Sequence, residues 1–158
     1  MTDLLIERLG HKGDGVARRD GESVHVAKVL PGEVVSLAFD GGVRLVKTSP
    51  ERVPAFCPYY AQCSGCALQH WAEAPFRAWK RQKLVDALGG VGLSPLVMPL
   101  NDAHGRGRRR VSLHVRRLDG AWVAGFMAQR SHTLVPIGHC PVLVPEMQHA
   151  PTVAAAFG

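Results

Sequence analysis

The sequence lacks the features that mark membrane, secreted and dinucleotide-binding proteins. No apolar run approaches the roughly 20 residues that a membrane-spanning helix requires, so we expect no membrane protein. The chain opens with Met-Thr-Asp and an amphipathic stretch, whereas a signal peptide would bring an apolar run. Gly13-Asp-Gly15 and Gly90-Val-Gly92 both lack the third glycine of the G-x-G-x-x-G motif. These absences predict a cytoplasmic chain without a βαβ unit for a nucleotide cofactor.

Acidic residues are scarce in the second part of the chain. Residues 1–50 contain seven Lys/Arg and seven Asp/Glu, whereas residues 51–158 contain twelve and six. The second part therefore carries the whole formal net charge of +6. Six arginines and no acid lie within residues 105–117. A surface of this kind suits a polyanion, either a nucleic acid or an acidic membrane face. A chain of 158 residues has room for one ordinary domain or two small ones.

Cysteine is also rare, and its spacing is uneven. Three cysteines form a C-x5-C-x2-C cluster and the fourth lies far downstream; they are Cys57, Cys63, Cys66 and Cys140. A structural zinc site usually takes two short Cys pairs, whereas three clustered thiolates with a remote fourth are common around iron–sulfur clusters. The spacing therefore favours one [4Fe-4S] cluster. Zinc, with His70 or His139 as a substitute ligand, unligated thiols and two disulfides are the alternatives, although a cytosolic protein keeps its thiols reduced.

The first fifty residues carry the pattern of a small all-β domain. Tight-turn signals such as Asp20-Gly21 and Asp40-Gly41 separate short apolar or alternating runs, and Asp-Gly pairs suit hairpins. The runs cover residues 3–9, 16–19, 23–30, 33–39 and 43–48. Five short strands predict a small barrel of the OB type, a common nucleic-acid scaffold, although another five-strand barrel or sandwich fits the pattern equally well.

Residues 51–158 predict a mixed α+β second domain. A helix is expected over residues 73–88, with Pro75 in its first turn and Gly89-Gly90 at its end. Its apolar stripe is Phe76, Trp79, Leu84 and Leu88, which we expect to be core.

A basic strand is expected over residues 108–117. Because strand side chains alternate, Arg108, Arg110 and Arg116 would share one face with Ser112 and His114, and Val111, Leu113 and Val115 would face a core. Further strands are expected over residues 121–128 and 132–137, and a second helix from Pro145. The arginines offer planar donors that match phosphate oxygens, although a plain exposed arginine face is the alternative.

Three segments together resemble one family, the iron–sulfur RNA uracil-C5 methyltransferases that modify bacterial 23S ribosomal RNA. Residues 6–18 with Leu30-Pro-Gly-Glu-Val34 resemble the TRAM domain, an OB-type RNA-binding barrel. Cys57-Pro-Tyr-Tyr through Cys66-Ala-Leu-Gln-His70, continuing into Trp79-Lys-Arg-Gln82, resembles the cluster loop. Arg108-Arg-Arg-Val111, Gly125-Phe126 and Cys140-Pro-Val-Leu143 resemble the central domain and fourth ligand.

The resemblance implies the N-terminal, RNA-binding part of such an enzyme, divided into a TRAM domain at 1–50 and an iron–sulfur part at 51–158. It implies 23S ribosomal RNA as partner and a [4Fe-4S] cluster on the four cysteines, and we expect a monomer. Members of the family also have a domain that binds S-adenosylmethionine and carries a nucleophilic cysteine. We find no site for that cofactor here and no cysteine left to attack uracil, so we expect no methyl transfer from these residues alone.

The RNA contacts expected on this interpretation are Arg108, Arg110, Arg116, Lys80 and Arg81. Two other interpretations use the same cysteines. One is an iron–sulfur electron carrier or sensor, and the other is a nucleic-acid-binding module whose fold is held together by zinc.

Overall fold

The computed structural model describes residues 2–38, 42–101 and 107–158, apart from the Thr2 side chain. The end of the expected run 33–39, the Asp40-Gly41 turn and Arg106 lie outside the described residues. Contacts divide the chain into two compact units, each built from two segments. The first unit comprises Met1–Pro54 and Ala67–Met98, and the second comprises Ala55–Cys66 and Pro99–Gly158. The described residues form short antiparallel sheets and two α-helices, so the expected β-rich class with added helices is confirmed.

The first unit begins with six strands. They are β1 (Thr2–Leu5), β2 (Arg8–Leu9), β3 (Gly15–Arg19), β4 (Glu22–Val26), β5 (Val34–Leu37) and β6 (Val43–Lys47). All pairs are antiparallel, in the orders β1-β5-β6 and β2-β3-β4. Among residues 2–38 and 42–47 the ladders thus form two three-stranded sheets, whereas the sequence predicts one five-strand barrel.

The extra strand arises because the first expected run changes partners in its middle. The Ile6 amide donates to the Glu33 carbonyl at 2.9 Å, and the next amide, that of Glu7, donates to the Val16 carbonyl at 2.9 Å. One continuous extended segment therefore serves both sheets. Its side chains Leu4 and Ile6 are 4% and 1% exposed, and they pack with buried residues of β3, β4 and β5 in one core.

Helix α1 (Glu73–Gly89) covers the expected range and ends one residue later than predicted. Phe76 is buried in a cluster with Leu9, Leu30, Leu68 and Trp71, against which Trp79 packs. Leu84, expected to be core, is 51% exposed, so that prediction is wrong. Eight residues at about 100° each turn Leu84 about 80° from Phe76, on the side away from Trp79.

The second unit contains strands β7 (His114–Leu118), β8 (Ala121–Met127) and β9 (Leu134–Pro136), paired antiparallel in that order. A 3-10 turn (Pro145–Met147) precedes α2 (Ala150–Ala156), so the helix starts later than the sequence predicts. The expected strand 108–117 begins only at His114. Arg108 instead forms an isolated parallel bridge with Leu143.

The predicted alternation of exposed and half-buried side chains is observed although the strand itself is short. Arg108, Arg110, Ser112, His114 and Arg116 are exposed, whereas Val111, Leu113 and Val115 are half-buried. The second unit's core includes Val135, Ile137, Cys140 and Leu143. A glycine is required at 125, because a Cβ there would collide with the Val135 carbonyl oxygen on the neighbouring β9. In the described part of the chain, no helix is long and apolar enough to cross a bilayer.

Candidate metal centre

All four cysteines belong to the second unit, and none forms a disulfide. Cys63 and Cys140 are each 8% exposed, whereas Cys57 and Cys66 are half-buried. The core of the unit thus contains two sulfur atoms that are nearly out of contact with water. The two-disulfide alternative does not apply to this structure.

The two Cys-Pro dipeptides open the same kind of turn. The Tyr60 amide donates to the Cys57 carbonyl at 3.1 Å, and the Leu143 amide donates to the Cys140 carbonyl at 3.1 Å. Each is a four-residue turn with proline second, a position for which the fixed φ of proline is suited. The amides of the third and fourth residues of each turn also form hydrogen bonds with the cysteine sulfur.

Cys63 is held in a comparable way. The Gly65 amide donates to the Cys63 Sγ at 3.3 Å, and a Cβ on Gly65 would lie 3.3 Å from that sulfur. The surrounding loop is fastened to the end of β8. Cys63 forms an antiparallel bridge with Ala128, and the amide and hydroxyl of Ser64 donate to the Met127 carbonyl at 3.2 and 2.7 Å.

The electrostatic surroundings favour thiols over thiolates in the absence of a metal. Burial raises the pKa of the Cys57 thiol, and the neighbouring Cys140 and Cys63 sulfurs add to the rise, while backbone amides oppose it. Burial likewise raises the pKa of Cys140, with Cys63 adding to the effect; the Val142 and Leu143 amides and the Arg108 guanidinium oppose it. Cys57, Cys63 and Cys140 therefore lie close enough to influence one another's charge.

This site suits a cluster by the hydrogen-bond donors around its sulfurs and not by the present positions of its side chains. The sulfurs of Cys57, Cys63 and Cys140 accept hydrogen bonds from backbone amides, which stabilise the negative sulfur of a metal thiolate. As the side chains stand, no group of three or more His, Cys, Asp or Glu within the described ranges is arranged to hold a metal ion. His139, the nearby alternative zinc ligand, packs its ring edgewise against Tyr59 at 5.6 Å between centroids. His70 belongs to the first unit.

The three candidate RNA-binding arginines of the second unit differ in their surroundings. Arg110 is exposed. Arg116 donates through Nη1 to the His132 carbonyl at 3.1 Å, so it also holds the loop between β8 and β9. Arg108 is exposed but is tied through its backbone to the turn after Cys140.

The two candidates on α1 have structural contacts of their own. Lys80 is exposed, with its Nζ 5.3 Å from the centroid of the Phe76 ring. Arg81 donates from Nε and Nη2 to the Val97 carbonyl, at 3.0 and 2.7 Å. Its planar fork therefore fixes the segment after the helix, a role that the sequence alone does not indicate.

A buried ionic network in the first unit was not predicted from sequence. Glu33 is fully buried and accepts hydrogen bonds from Arg52 Nε and Nη2 at 2.6 and 2.7 Å, and from the Leu30 and Ser49 amides at 2.8 and 3.2 Å. Burial alone would raise the pKa of Glu33, but these hydrogen bonds and the Arg52 charge outweigh it and lower the pKa. Ser49 and Arg52 lie 16 and 19 residues from Glu33, so no local pattern reveals these two partners.

Comparison with known proteins identifies the lineage. The chain is 44% identical over 154 residues to an uncharacterized RNA methyltransferase of Caulobacter vibrioides, covering 93% of this chain. It is 34% identical over 148 residues to the 23S rRNA (uracil(1939)-C(5))-methyltransferase RlmD of Dichelobacter nodosus, covering 85% of this chain. By sequence, the chain is similar over most of its length to one part of these bacterial RNA methyltransferases. An uncharacterized RNA methyltransferase of Halalkalibacterium halodurans is 31% identical over 156 residues. No family model matches the chain.

The resemblance inferred from the cysteine loop and its flanking motifs is confirmed by these RNA methyltransferase relatives. The chain spans 37% of the length of the Caulobacter protein and 35% of the Dichelobacter protein. The rest of each relative, and any activity that resides there, therefore lies outside the matched region.

Proposed function

We propose that this chain is the RNA-binding, cluster-bearing portion of an enzyme that methylates C5 of uracil in 23S ribosomal RNA. The similarity to the Dichelobacter RlmD, whose name states that reaction, is the observation that carries the proposal. S-adenosylmethionine and an attacking thiolate would come from the part of such an enzyme that the chain does not span. The role of these residues is then to bind RNA and to maintain a folded platform for it.

The four cysteines would hold one [4Fe-4S] cluster. Amide donors at the Cys57 turn, at Cys63 and at the Cys140 turn support this assignment, because hydrogen bonds to sulfur stabilise thiolate ligands. When bound, the cluster would fasten the cysteine loop to the Cys140 turn, and its binding energy would become folding energy. The chain's own contribution is to present the sulfurs on short turns whose amides point towards them.

RNA binding would use both units. We assign the two sheets of the first unit to an OB-like TRAM fold, and the exposed arginines of the second unit to phosphate contacts. Arg110 is the clearest of these, since it is exposed and follows two further arginines. Lys80 on α1 is the best candidate in the first unit, because its charge is exposed above an aromatic ring. Such contacts supply affinity and salt dependence but little base selectivity.

The cluster is tested by an anaerobic visible spectrum of the purified chain, with iron, sulfide and zinc assayed on the same sample. A broad brown absorption with about four irons per chain would support the proposal. Cys140→Ser should lose that absorption. A colourless wild-type protein that binds one zinc, or no metal, would overturn the cluster assignment and leave the RNA-binding part to stand by itself.

RNA binding is tested by filter binding to a 23S rRNA fragment over a range of salt concentrations. Arg110→Glu should weaken binding and reduce the slope of log K against log salt by about one. Ser112→Ala, on the same exposed side, is the neutral control. Equal affinity and equal slope for the two variants would remove Arg110 from the interface.

A further inference from the structure

The second half of α1 has little packing of its own. Among the residues of α1, all of which the structure describes, Phe76 alone is buried, and Trp79 packs on the same cluster. Just over two turns after Phe76, Leu84 is 51% exposed. An isolated helix of 17 residues is close to marginal in water, and helices in proteins are stabilised mainly by packing of an apolar face. The second half of α1 therefore calls for a partner surface beyond the described residues.

After α1 the chain turns back along the helix. The Val91 and Leu93 amides both donate to the Leu88 carbonyl, at 3.1 and 2.9 Å, and Gly92 between them has a φ of +77°. The Arg81 guanidinium, which binds the Val97 carbonyl, then holds the returning segment beside the middle of α1. The segment thus follows a path that the helix defines.

This returning segment directs apolar side chains outwards. Leu96 and Met98 are 88% and 69% exposed, whereas Val97 between them is half-buried. Residues 87–100 contain no charged residue, although most of them are exposed. We name the exposed apolar side chains of α1 and of this segment the α1 ridge; they are Leu84, Val91, Leu93, Leu96 and Met98. Exposed apolar patches on soluble proteins mark surfaces that bind another macromolecule or another part of the same one.

The chemistry of the α1 ridge favours a protein surface over RNA. Its members are leucines, a valine and a methionine, which offer neither a flat ring for stacking on bases nor a cation for phosphate. Depletion of charged residues is instead characteristic of the centre of a protein–protein interface.

The length of the relatives indicates which protein surface is at hand. The matched region spans 37% of the Caulobacter protein and 35% of the Dichelobacter protein, so well over half of each relative lies outside it. A second part joined to the same polypeptide is present at a high effective concentration, and a modest apolar surface is then enough to hold it.

We propose that the α1 ridge is the docking surface for the part of the longer methyltransferase that these residues do not span, and that this part meets it with an uncharged, apolar surface. The inference rests on the proposed function. It assigns to α1 and residues 91–98 a role in assembling the enzyme, besides the RNA contact proposed for Lys80.

The test compares the 158-residue chain with the full-length enzyme of which the proposed function makes it a portion. Hydrogen exchange is followed by mass spectrometry on peptides that cover residues 82–98. These amides should exchange rapidly in the 158-residue chain and at least about 10-fold more slowly in the full-length enzyme, because burial of apolar side chains opposes local opening. Peptides that cover β3 and β4 should exchange alike in both.

Substitutions within the α1 ridge locate the contact. Leu84→Ala and Leu96→Ala should each speed exchange of residues 82–98 about 10-fold in the full-length enzyme and leave it nearly unchanged in the 158-residue chain. Leu5→Ala is the matched control, since Leu5 is a leucine of similar exposure, 55%, on β1. It should alter exchange of residues 82–98 in neither protein.

Rapid exchange of residues 82–98 in the full-length enzyme would overturn the inference. Protection that appears only after RNA is added, or that rises with the concentration of the 158-residue chain, would also overturn it, in favour of RNA or of a second copy. In each case, methylation of 23S rRNA by the full-length enzyme would leave the proposed function in place. A gene that encodes no residues beyond these 158 would overturn both.

Discussion

Replacement of Glu33 by alanine is expected to cost about 3–5 kcal/mol of unfolding free energy. The carboxylate is fully buried and accepts four hydrogen bonds, two from Arg52 and one each from the Leu30 and Ser49 amides. It joins the turn before β5 to the segment after β6, beside the point where Val34 pairs with Lys47. Loss of the carboxylate should therefore loosen this end of the β5–β6 pair.

The magnitude follows from what the substitution leaves behind. Two backbone amides lose a partner, each at a cost of about 1–3 kcal/mol. Arg52 keeps its charge with a side chain only 24% exposed, although its Nη2 retains the Lys28 carbonyl at 3.0 Å. Removal of the buried anion recovers part of this cost, because the carboxylate no longer has to be desolvated. The net value therefore falls in the range of about 3–5 kcal/mol measured for broken buried ion pairs.

Urea unfolding followed by tryptophan fluorescence would measure this loss. With a urea slope of about 2 kcal/mol per molar, the midpoint should fall by roughly 2 M. Glu7→Ala is the matched control, because Glu7 pairs with Arg18 at 3.8 Å on the surface and should change stability by less than about 1 kcal/mol. A midpoint for Glu33→Ala no lower than that of Glu7→Ala would refute the reasoning.

The lowered pKa of Glu33 adds a dependence on pH. Because the pKa is lower in the folded chain than its ordinary value of 4.5, the stabilisation is present above pH 4.5 and disappears as the pH falls through the folded value. The difference in unfolding free energy between wild type and Glu33→Ala should therefore shrink as the pH falls below 4.5. Glu7→Ala, the control for other carboxylates, should follow the wild type over the same range.

Three further outcomes can be measured by the same urea method or by proteolysis. Burial, aided by the Arg52 charge, lowers the pKa of His70 from 6.5 to about 4. The free energy of unfolding should therefore decline by about 3 kcal/mol as the pH falls from 6.5 to 4. His70→Gln should flatten that decline, whereas a substitution at an exposed histidine, His11→Gln, should not. Gly125→Ala should cost about 1–3 kcal/mol through its collision with β9, whereas Gly89→Ala, with open space around it, should be nearly neutral. Arg81→Ala should release residues 91–98 to faster protease cleavage without unfolding α1.

Local signals in the sequence were sufficient for the elements that local interactions determine. Pro75 and Gly89-Gly90 delimit α1 to within one residue, because proline suits a first turn and glycine ends a helix. The alternation from Arg110 to Arg116 correctly predicted which side chains are exposed. The cysteine spacing pointed to the family that the comparisons confirm.

Interactions between distant residues account for what the sequence did not reveal. The first run serves two sheets because successive amides, at Ile6 and Glu7, find partners on different strands. Glu33 stands in the motif that resembles TRAM, but its role depends on Arg52, nineteen residues away. Arg108 was expected to face phosphate, and only the bridge to Leu143 places it beside the Cys140 turn. No periodicity encodes these pairings.

The division of each unit into two segments has a consequence for the order of folding. The first unit requires residues 67–98 to complete it, and the cysteine loop at residues 57–66 requires the sheet and turn that follow residue 99. During synthesis, the loop that carries Cys57, Cys63 and Cys66 therefore emerges long before its packing partners exist. Its three thiols are exposed to oxidation until the sheet and the Cys140 turn have been made. A delay of this kind, in which three thiols precede the residues that they pack against, makes folding of the second unit sensitive to the cellular redox state.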